Sequence, residues 1–187
     1  LYPASQISAV APPISSDSIA QFQNLMITQI VQQCAENGAK KVAERFALAF
    51  ATGATQEADF RLMAGLMLQL NLPDVAVKVA KAAAKKQIVL PVEGYPVLSI
   101  VERDNAPLVH ALIRQESQFD ARIASSSNAQ GLMQLLPSTA KHVANKSSLS
   151  VDPTNLYDPE TNVQLGSAYV DELMNTFNNS LPLTIGA

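Results

Sequence analysis

The chain contains no tryptophan, and phenylalanine and tyrosine make up only 5% of its 187 residues. It has a single cysteine, Cys34, so no disulfide can form within the chain. The helical pattern around Cys34 predicts a buried, unreactive thiol, and a reactive or intermolecular thiol is the alternative. Cys34 and the two histidines, His110 and His142, are not spaced as metal ligands. We therefore predict neither a metal site nor a cofactor.

The sequence also lacks an excess of one charge and a long hydrophobic run. With 13 basic and 16 acidic residues, its formal net charge is −3. The basic residues are scattered, which excludes the basic patch that nucleic-acid-binding proteins need. No apolar run reaches the roughly 18 residues of a transmembrane helix. We therefore expect no nucleic-acid partner and no transmembrane segment in this chain.

Hydrophobic residues make up 48% of the chain, and most of them are Leu, Ala, Val, Ile and Met. This composition favours helices, and the predicted fold class is all-α. Helical spacing predicts four helices in the first half, at residues 15–37, 39–52, 55–71 and 73–86. The apolar stripes of the first two are Ile19, Phe22, Met26, Ile30 and Cys34, and then Val42, Phe46, Ala49 and Phe50. Short turns join these helices into two antiparallel hairpins, the layout of an α-solenoid or a helical bundle.

Composition changes along the chain indicate three regions. Residues 1–14 contain three prolines and no helical period, which predicts an arm or linker. Residues 15–95 form the helical-hairpin region, and the β-branched stretch 88–100 predicts an extended connector with a boundary near residue 95. Residues 96–187 form a second helical domain. The first residue is Leu1, and no signal segment precedes it, so we expect a processed or excised piece of a longer protein.

One acid in the second domain stands on an apolar helix face. Val109, Leu112 and Ile113 precede Glu116 by seven, four and three positions, so a helix stacks them on one face with the acid. A carboxylate on a buried face costs several kcal/mol unless it is paired or neutral. We therefore predict a buried Glu116 that keeps its proton near neutral pH. Such a group is a general acid suited to cleaving an acetal or glycosidic bond.

The alternative for Glu116 is a salt bridge with Arg114 or Arg122, which acids near a helix end often form. The nearest second acid is Asp120, one turn further along. Its polar neighbours predict an exposed or capping carboxylate rather than a catalytic partner. Helix spacing alone leaves the catalytic and the salt-bridge interpretations open.

The stretch from Ala111 to Ala140 contains an array of specific residues. They are Glu116-Ser117, Phe119, Ser125, Gly131-Leu132-Met133-Gln134, Pro137 and Thr139-Ala140. This array resembles the catalytic signature of the soluble lytic murein transglycosylase family, whose fold is goose-type-lysozyme-like. The segment NLYDPETNVQLGSAYVDELMNTF, residues 155–177, resembles the next block of that family. The resemblance covers residues 107–187. More weakly, residues 15–95 resemble the superhelical arm of the larger members.

The resemblance implies an enzyme that cleaves the β-1,4 bond between N-acetylmuramic acid and N-acetylglucosamine in peptidoglycan. Such an enzyme adds no water, because the muramoyl 6-hydroxyl attacks its own anomeric carbon and leaves a 1,6-anhydro ring. Carried over by residue, Glu116 is the acid and then the base, and Ser117 supports it. The expected glycan contacts are Ser125, Gly131, Met133, Gln134 and Leu136. For Met133, core packing is an equal alternative. The resemblance also implies glycan strands as the partner and the periplasm of a Gram-negative bacterium as the location.

The chain departs from the family pattern in three places. Asn128 stands where the family has glycine, and asparagine tolerates the left-handed backbone expected there. Leu136 replaces a methionine, which is a tolerable apolar exchange. The chain also ends before a Tyr-Asn-Ala-Gly motif whose tyrosine faces the glutamate, so we expect a catalytic domain incomplete at its C-terminus and weak or no activity from this piece. Two rival functions remain, a goose-type lysozyme-like hydrolase and a non-catalytic, glycan-binding or secretion-associated helical scaffold.

Overall fold

The computed structural model describes residues 12–101, 105–147 and 149–186. Within these ranges the regular secondary structure is entirely α-helical, with isolated β-bridges and no strand, which confirms the all-α fold class. The helices are α1 (Ser16–Asn24), α2 (Met26–Glu36), α3 (Lys40–Gly53), α4 (Glu57–Gln69), α5 (Pro73–Ala84), α6 (Ala106–Glu116), α7 (Pro137–Ser147), α8 (Pro159–Thr176) and α9 (Leu181–Gly186). The chain divides into two compact units, Leu1–Pro96 and Val97–Ala187. Most of the predicted N-terminal arm, residues 1–11, lies outside the described residues.

The first unit consists of two helical hairpins with α1 packed beside them. Helix α2 packs against α3, and α4 packs against α5, as the short turns predicted. Gly38, at φ 75°, and Asn71, at φ 56°, reverse the chain between the helices of each pair. Both residue types accept the left-handed backbone that such tight turns require. The core of this unit includes the fully buried side chains of Phe60, Met63 and Met67.

The predicted first helix and two of the predicted apolar stripes are wrong in detail. The chain becomes extended at Leu25, with ψ 131°, and this break separates α1 from α2. The break changes the phase of the second helix, so Thr28 and Val31 are buried while Met26 is 77% exposed. In α3 the alanines at positions 43, 47 and 51 face inward, and Val42 and Phe46 are exposed. Small side chains suit this face because α3 packs against both α2 and α5.

The second unit contains α6, a long loop, and then α7, α8 and α9. Helices α7 and α9 both pack against α8. One apolar cluster fills the space between α7, α8 and the loops before them; it contains Leu135, Ala140, Val143, Ala144, Leu156 and Leu165. Helix α8 is therefore central to this unit. The residue at which α8 begins determines which of its side chains face the neighbouring helices and loops.

The start of α8 is set by Asp158 and Pro159, as predicted. The Asp158 Oδ2 atom accepts a hydrogen bond from the Thr161 backbone N–H at 2.9 Å. That N–H, and after it the Thr161 hydroxyl, lower the pKa of Asp158 below its ordinary value. Because the folded-state pKa is the lower one, this carboxylate stabilises the fold above about pH 4, and the contribution is lost as the pH falls through the folded-state pKa.

Asp158→Ala is therefore expected to lower the melting temperature of the chain by a few degrees near neutral pH, because α8 loses its N-cap. The difference from the wild type should shrink in acid, where the wild-type cap is itself protonated. Thermal unfolding followed by circular dichroism across a pH series measures both effects. Glu160→Ala, at an exposed position in the same first turn, is the control and should have a smaller effect. A melting difference that stays constant down to acidic pH would contradict this account of the cap.

Candidate active site

Glu116 is the last residue of α6, and its side chain is exposed, so its predicted burial is wrong. The buried stripe of α6 runs through Val109 and Ile113 and continues to Ser117. Leu112 and Glu116 form the neighbouring stripe, one residue back and therefore about 100° round the helix. This rotation leaves Leu112 half-buried and places Glu116 beside a cleft instead of in the core.

The cleft beside Glu116 has a volume of about 290 Å³. Its walls come from α6, α7, α8, α9 and the chain just before α7. The lining residues are Leu112, Glu116, Met133, Gln134, Leu135, Leu136, Thr139, Gly166, Tyr169, Val170, Leu173, Thr184 and Ile185. Among the described residues Glu116 is the only acid on these walls. The other polar groups are the carboxamide of Gln134, the phenol of Tyr169 and two threonine hydroxyls.

Glu116 forms no hydrogen bond and no ion pair within the part of the chain that the structure describes. The alternative of a salt bridge with Arg114 or Arg122 is therefore not observed there. The nearest acid, Asp120, does not line the cleft, and its Oδ1 atom accepts the Arg122 backbone N–H at 3.0 Å. The Glu116 carboxyl thus remains available to a ligand, and Asp120 shapes the loop.

Ser117 is buried and determines where α6 ends. Its Oγ atom donates to the Ile113 carbonyl at 3.0 Å and accepts the Phe119 backbone N–H at 3.2 Å. The next two residues, Gln118 and Phe119, have left-handed backbone with φ of 52° and 68°. The helix therefore ends at Ser117, directly after Glu116.

Gln134 lines the cleft and directly follows the tight Gly131–Met133 turn of the long loop. Its backbone is left-handed, with φ 47°. Its Nε2 atom donates to the Ile123 carbonyl at 3.2 Å and to the Gly131 carbonyl at 3.0 Å. Both amide hydrogens are thus used within the loop. The Oε1 atom is the part of this side chain that can accept a hydrogen bond from a ligand.

Met133 is 8% exposed and forms part of the cleft wall by packing against α8. It lies over Gly166, where a Cβ atom would approach the Met133 Cβ to 3.0 Å and its sulfur still more closely. Its backbone N–H donates to the Oδ1 atom of Asn162 at 2.8 Å. Met133 therefore both lines the cleft and packs against α8. Sequence reasoning missed Asn162, because a polar residue within a helix usually indicates a solvated face.

Gly131 is buried, with φ 77°. A Cβ atom there would fall well inside contact distance of the Leu156 carbonyl and the Asn162 carboxamide. The absence of a side chain at Gly131 therefore lets this turn pack directly against α8 and the chain before it. The structure explains this glycine by close packing within the unit, while the predicted approach to a glycan stays a prediction.

Ser125 is exposed and is not among the cleft residues. Its Oγ atom accepts the backbone N–H groups of Ser127, at 3.2 Å, and Ala129, at 3.0 Å. Asn128 in the same turn has φ 63°, which confirms the predicted left-handed backbone. Leu136, 40% exposed, does line the cleft. The structure thus brings Glu116, Met133, Gln134 and Leu136 together and leaves Ser125 in the adjoining loop.

Two classes of feature are not found in the described ranges. No group of three or more His, Cys, Asp or Glu side chains is arranged there to hold a metal ion. No helix in those ranges is both long enough and apolar enough to cross a membrane.

The sequence of residues 101–187 matches the family described as Transglycosylase SLT domain. Among individual proteins, the chain is 42% identical over 78 residues to a putative soluble lytic murein transglycosylase of Haemophilus influenzae, covering 41% of this chain and 13% of that protein. It is 38% identical over 72 residues to the soluble lytic murein transglycosylase of Escherichia coli K12, covering 37% of this chain and 11% of that protein. A membrane-bound lytic murein transglycosylase C of Yersinia pestis is 40% identical over 73 residues, covering 37% and 20%. The chain thus spans a fifth or less of the length of each of these relatives.

Two solved structures have the same fold over most of the chain. An inactive Glu-to-Gln mutant of the lytic transglycosylase Slt from Pseudomonas aeruginosa has a TM-score of 0.71 at 22% identity, covering 90% of this chain and 28% of that one. The 70-kDa soluble lytic transglycosylase in complex with bulgecin A has a TM-score of 0.73 at 21% identity, covering 96% and 29%. These neighbours show a helical-hairpin region followed by a lysozyme-like domain as the fold class. The sequence match relates residues 101–187 to the Transglycosylase SLT domain family, and the solved structures show that the fold is shared.

Proposed function

We propose that this chain cleaves, slowly when it is by itself, the β-1,4 bond between N-acetylmuramic acid and N-acetylglucosamine in peptidoglycan, and that it forms 1,6-anhydromuramoyl ends. The observation that carries this proposal is the single acid on the cleft, Glu116. Most glycosidases place a second carboxyl about 5–10 Å from the first, to act as nucleophile or base. With no second acid among the described lining residues, the nucleophile is best supplied by the substrate.

The proposed reaction uses the Glu116 carboxyl twice. It first donates its proton to the glycosidic oxygen, so that the bond to the muramoyl anomeric carbon breaks and the N-acetylglucosamine residue leaves as an alcohol. The resulting carboxylate then accepts the proton of the muramoyl 6-hydroxyl, whose oxygen bonds to the anomeric carbon. The enzyme ends protonated as it began, and no water is consumed.

The remaining cleft residues suit an acetylated sugar chain. Gln134 can accept the N–H of an acetamido group through its Oε1 atom, because its own amide hydrogens are already used. Leu112, Leu136 and Tyr169 give apolar surface for the faces of the sugar rings. Met133 backs this surface, while Gly131 and Ser117 hold the backbone around it. In this proposal Ser125 donates its hydroxyl hydrogen to glycan that extends beyond the cleft.

The names of the relatives support the substrate class. The Haemophilus and Escherichia proteins are soluble lytic murein transglycosylases, and one solved neighbour is an inactive Glu-to-Gln mutant. Since peptidoglycan lies outside the inner membrane, we also propose the periplasm of a Gram-negative bacterium as the place of action. Glycan strands are the proposed partner.

Digestion of purified peptidoglycan sacculi, with the protein in excess so that slow cleavage is detected, tests the reaction. Mass spectrometry of the released muropeptides should show anhydro ends, which are one water lighter than reducing ends. Reducing ends would contradict the proposal and identify a lysozyme-like hydrolase. Binding to sacculi without any release would also contradict it and identify a glycan-binding scaffold.

A further inference from the structure

Asn162 is a buried polar residue beside the cleft, and its carboxamide forms three hydrogen bonds. It is 0% exposed and lies in the first turns of α8. Its Oδ1 atom accepts the Met133 backbone N–H at 2.8 Å, and its Nδ2 atom donates to the Gln130 carbonyl at 2.9 Å and the Leu156 carbonyl at 2.8 Å. One carboxamide thus joins both ends of the turn before Gln134 to the chain that leads into α8.

These hydrogen bonds flank the turn in which Gly131 has left-handed backbone. The Gln130 carbonyl precedes that turn, and the Met133 N–H adjoins the peptide that leads to Gln134. The register of Asn162 is itself fixed, because its backbone N–H donates to the carbonyl of the helix cap Asp158 at 3.0 Å. The position of the turn is therefore determined by the start of α8.

The conformation of Gln134 depends on the position of this turn. Its backbone is left-handed, and a residue other than glycine adopts this conformation only when its surroundings hold it there. One of its two amide hydrogen bonds goes to the Gly131 carbonyl, which is part of the turn that Asn162 holds. Movement of the turn would therefore move the Oε1 atom of Gln134 relative to Glu116.

We propose that Asn162 is a positioning residue for the glycan site: it touches no glycan itself, and it holds the Gly131–Met133 turn so that Gln134 presents its Oε1 atom on the cleft that contains Glu116. This inference rests on the proposed function for its kinetic test and on local geometry for its second test. A carboxamide is required because the position must offer one acceptor and two donors to three backbone groups. Apart from glutamine, which is one methylene longer, no other neutral side chain offers the same set.

A double-mutant cycle in peptidoglycan cleavage tests the proposal. Asn162→Ala should lower kcat/KM on soluble glycan strands by roughly 10- to 100-fold, because misplacing a substrate-positioning group costs this much. In the Gln134→Ala background the same change should cost less than about 2-fold, since Asn162 acts through Gln134. Equal losses in both backgrounds would overturn the proposal. Asn175→Ala, at an exposed position on the same helix, is the matched control and should leave kcat/KM unchanged.

A second variant keeps the test decisive where Asn162→Ala does not fold. Asn162→Asp retains an oxygen for the Met133 N–H and replaces the alanine variant in the same cycle. The coupling to Gln134 should persist with this variant. Additive effects of Asn162→Asp and Gln134→Ala would contradict the positioning role.

A nuclear magnetic resonance measurement separates this inference from the proposed function. The side-chain amide hydrogens of Gln134, bonded to Ile123 and Gly131, should change in shift and exchange faster with solvent in Asn162→Asp, and stay unchanged in Asn175→Ala. Unchanged Gln134 signals in the Asn162 variant would overturn the inference, even if the wild type cleaves glycan. Changed signals in a chain whose wild type neither binds nor cleaves glycan would support the local geometry and refute the proposed function.

Discussion

Glu116→Gln is expected to lower the rate of glycan cleavage by about 10²–10⁴-fold, the usual contribution of a general acid or base. Glutamine keeps the size and shape of the side chain and removes the transferable proton. Glu116 is exposed and has no bonded partner among the described residues, so the melting temperature should stay the same. Release of anhydromuropeptides from sacculi, measured at equal concentrations of folded protein, gives the comparison.

Asp120→Asn is the matched control for this experiment. Asp120 is the nearest second acid, and it lies outside the cleft lining. Its replacement should leave cleavage within about 2-fold of the wild type, far less than a lost general acid. Turnover retained in Glu116→Gln, or an equal loss in Asp120→Asn, would move the chemistry to another residue.

Gly131→Ala is expected to destabilise the second unit by about 3 kcal/mol or more, the combined cost of left-handed backbone and overpacking. The φ of 77° disfavours any side chain there. The added Cβ would also meet the Leu156 carbonyl and the Asn162 carboxamide, neither of which is the movable end of a flexible side chain. The turn and α8 would have to separate, which would break the hydrogen bonds of Asn162.

Thermal unfolding measures this effect, and the melting temperature should fall by roughly 10 °C or more for a unit of this size. Gly186→Ala serves as the control, because a Cβ at Gly186 meets no atom within 4 Å. It should melt within a degree or two of the wild type. If Gly131→Ala were as stable as Gly186→Ala, the close packing of the turn against α8 would be refuted.

Local capping signals predicted the fold well, and apolar periodicity did so less well. Pro73, Asp158 and Pro159 mark helix starts by fixing the backbone or accepting orphan N–H groups, and α5 and α8 begin there. Nothing comparable marks the break at Leu25, because a single extended residue between two good helical segments carries no proline or glycine. In α3, alanines supply the buried face, and a search for large apolar side chains selects the wrong stripe.

For the site, the sequence predicted the neighbourhood of Glu116 and Gln134 but not the burial of the acid. Leu112 and Ile113 are adjacent in the sequence. A buried stripe through Leu112 would lead to Glu116, and a buried stripe through Ile113 leads to Ser117. The choice depends on what packs against α6, which is a tertiary property. Asn162 could not be predicted because its partners, Gln130, Met133 and Leu156, are backbone groups. The side-chain pattern does not show which backbone groups need a partner.

The left-handed residues of the loop between α6 and α7 bear on where this domain can vary in length. Gln118, Phe119, Asn128, Gly131 and Gln134 all have positive φ, and several are bonded to fixed neighbours. Inserting or deleting one residue near Gly131 would shift the sequence relative to these backbone conformations. Residues that do not favour positive φ would then have to adopt it. Ser126 and Ser127 are exposed between two such points and have no positive φ, and the hydrogen bonds of their turn stay within residues 125–129. The loop tip at these serines is therefore where insertions can be accommodated while the cleft stays intact.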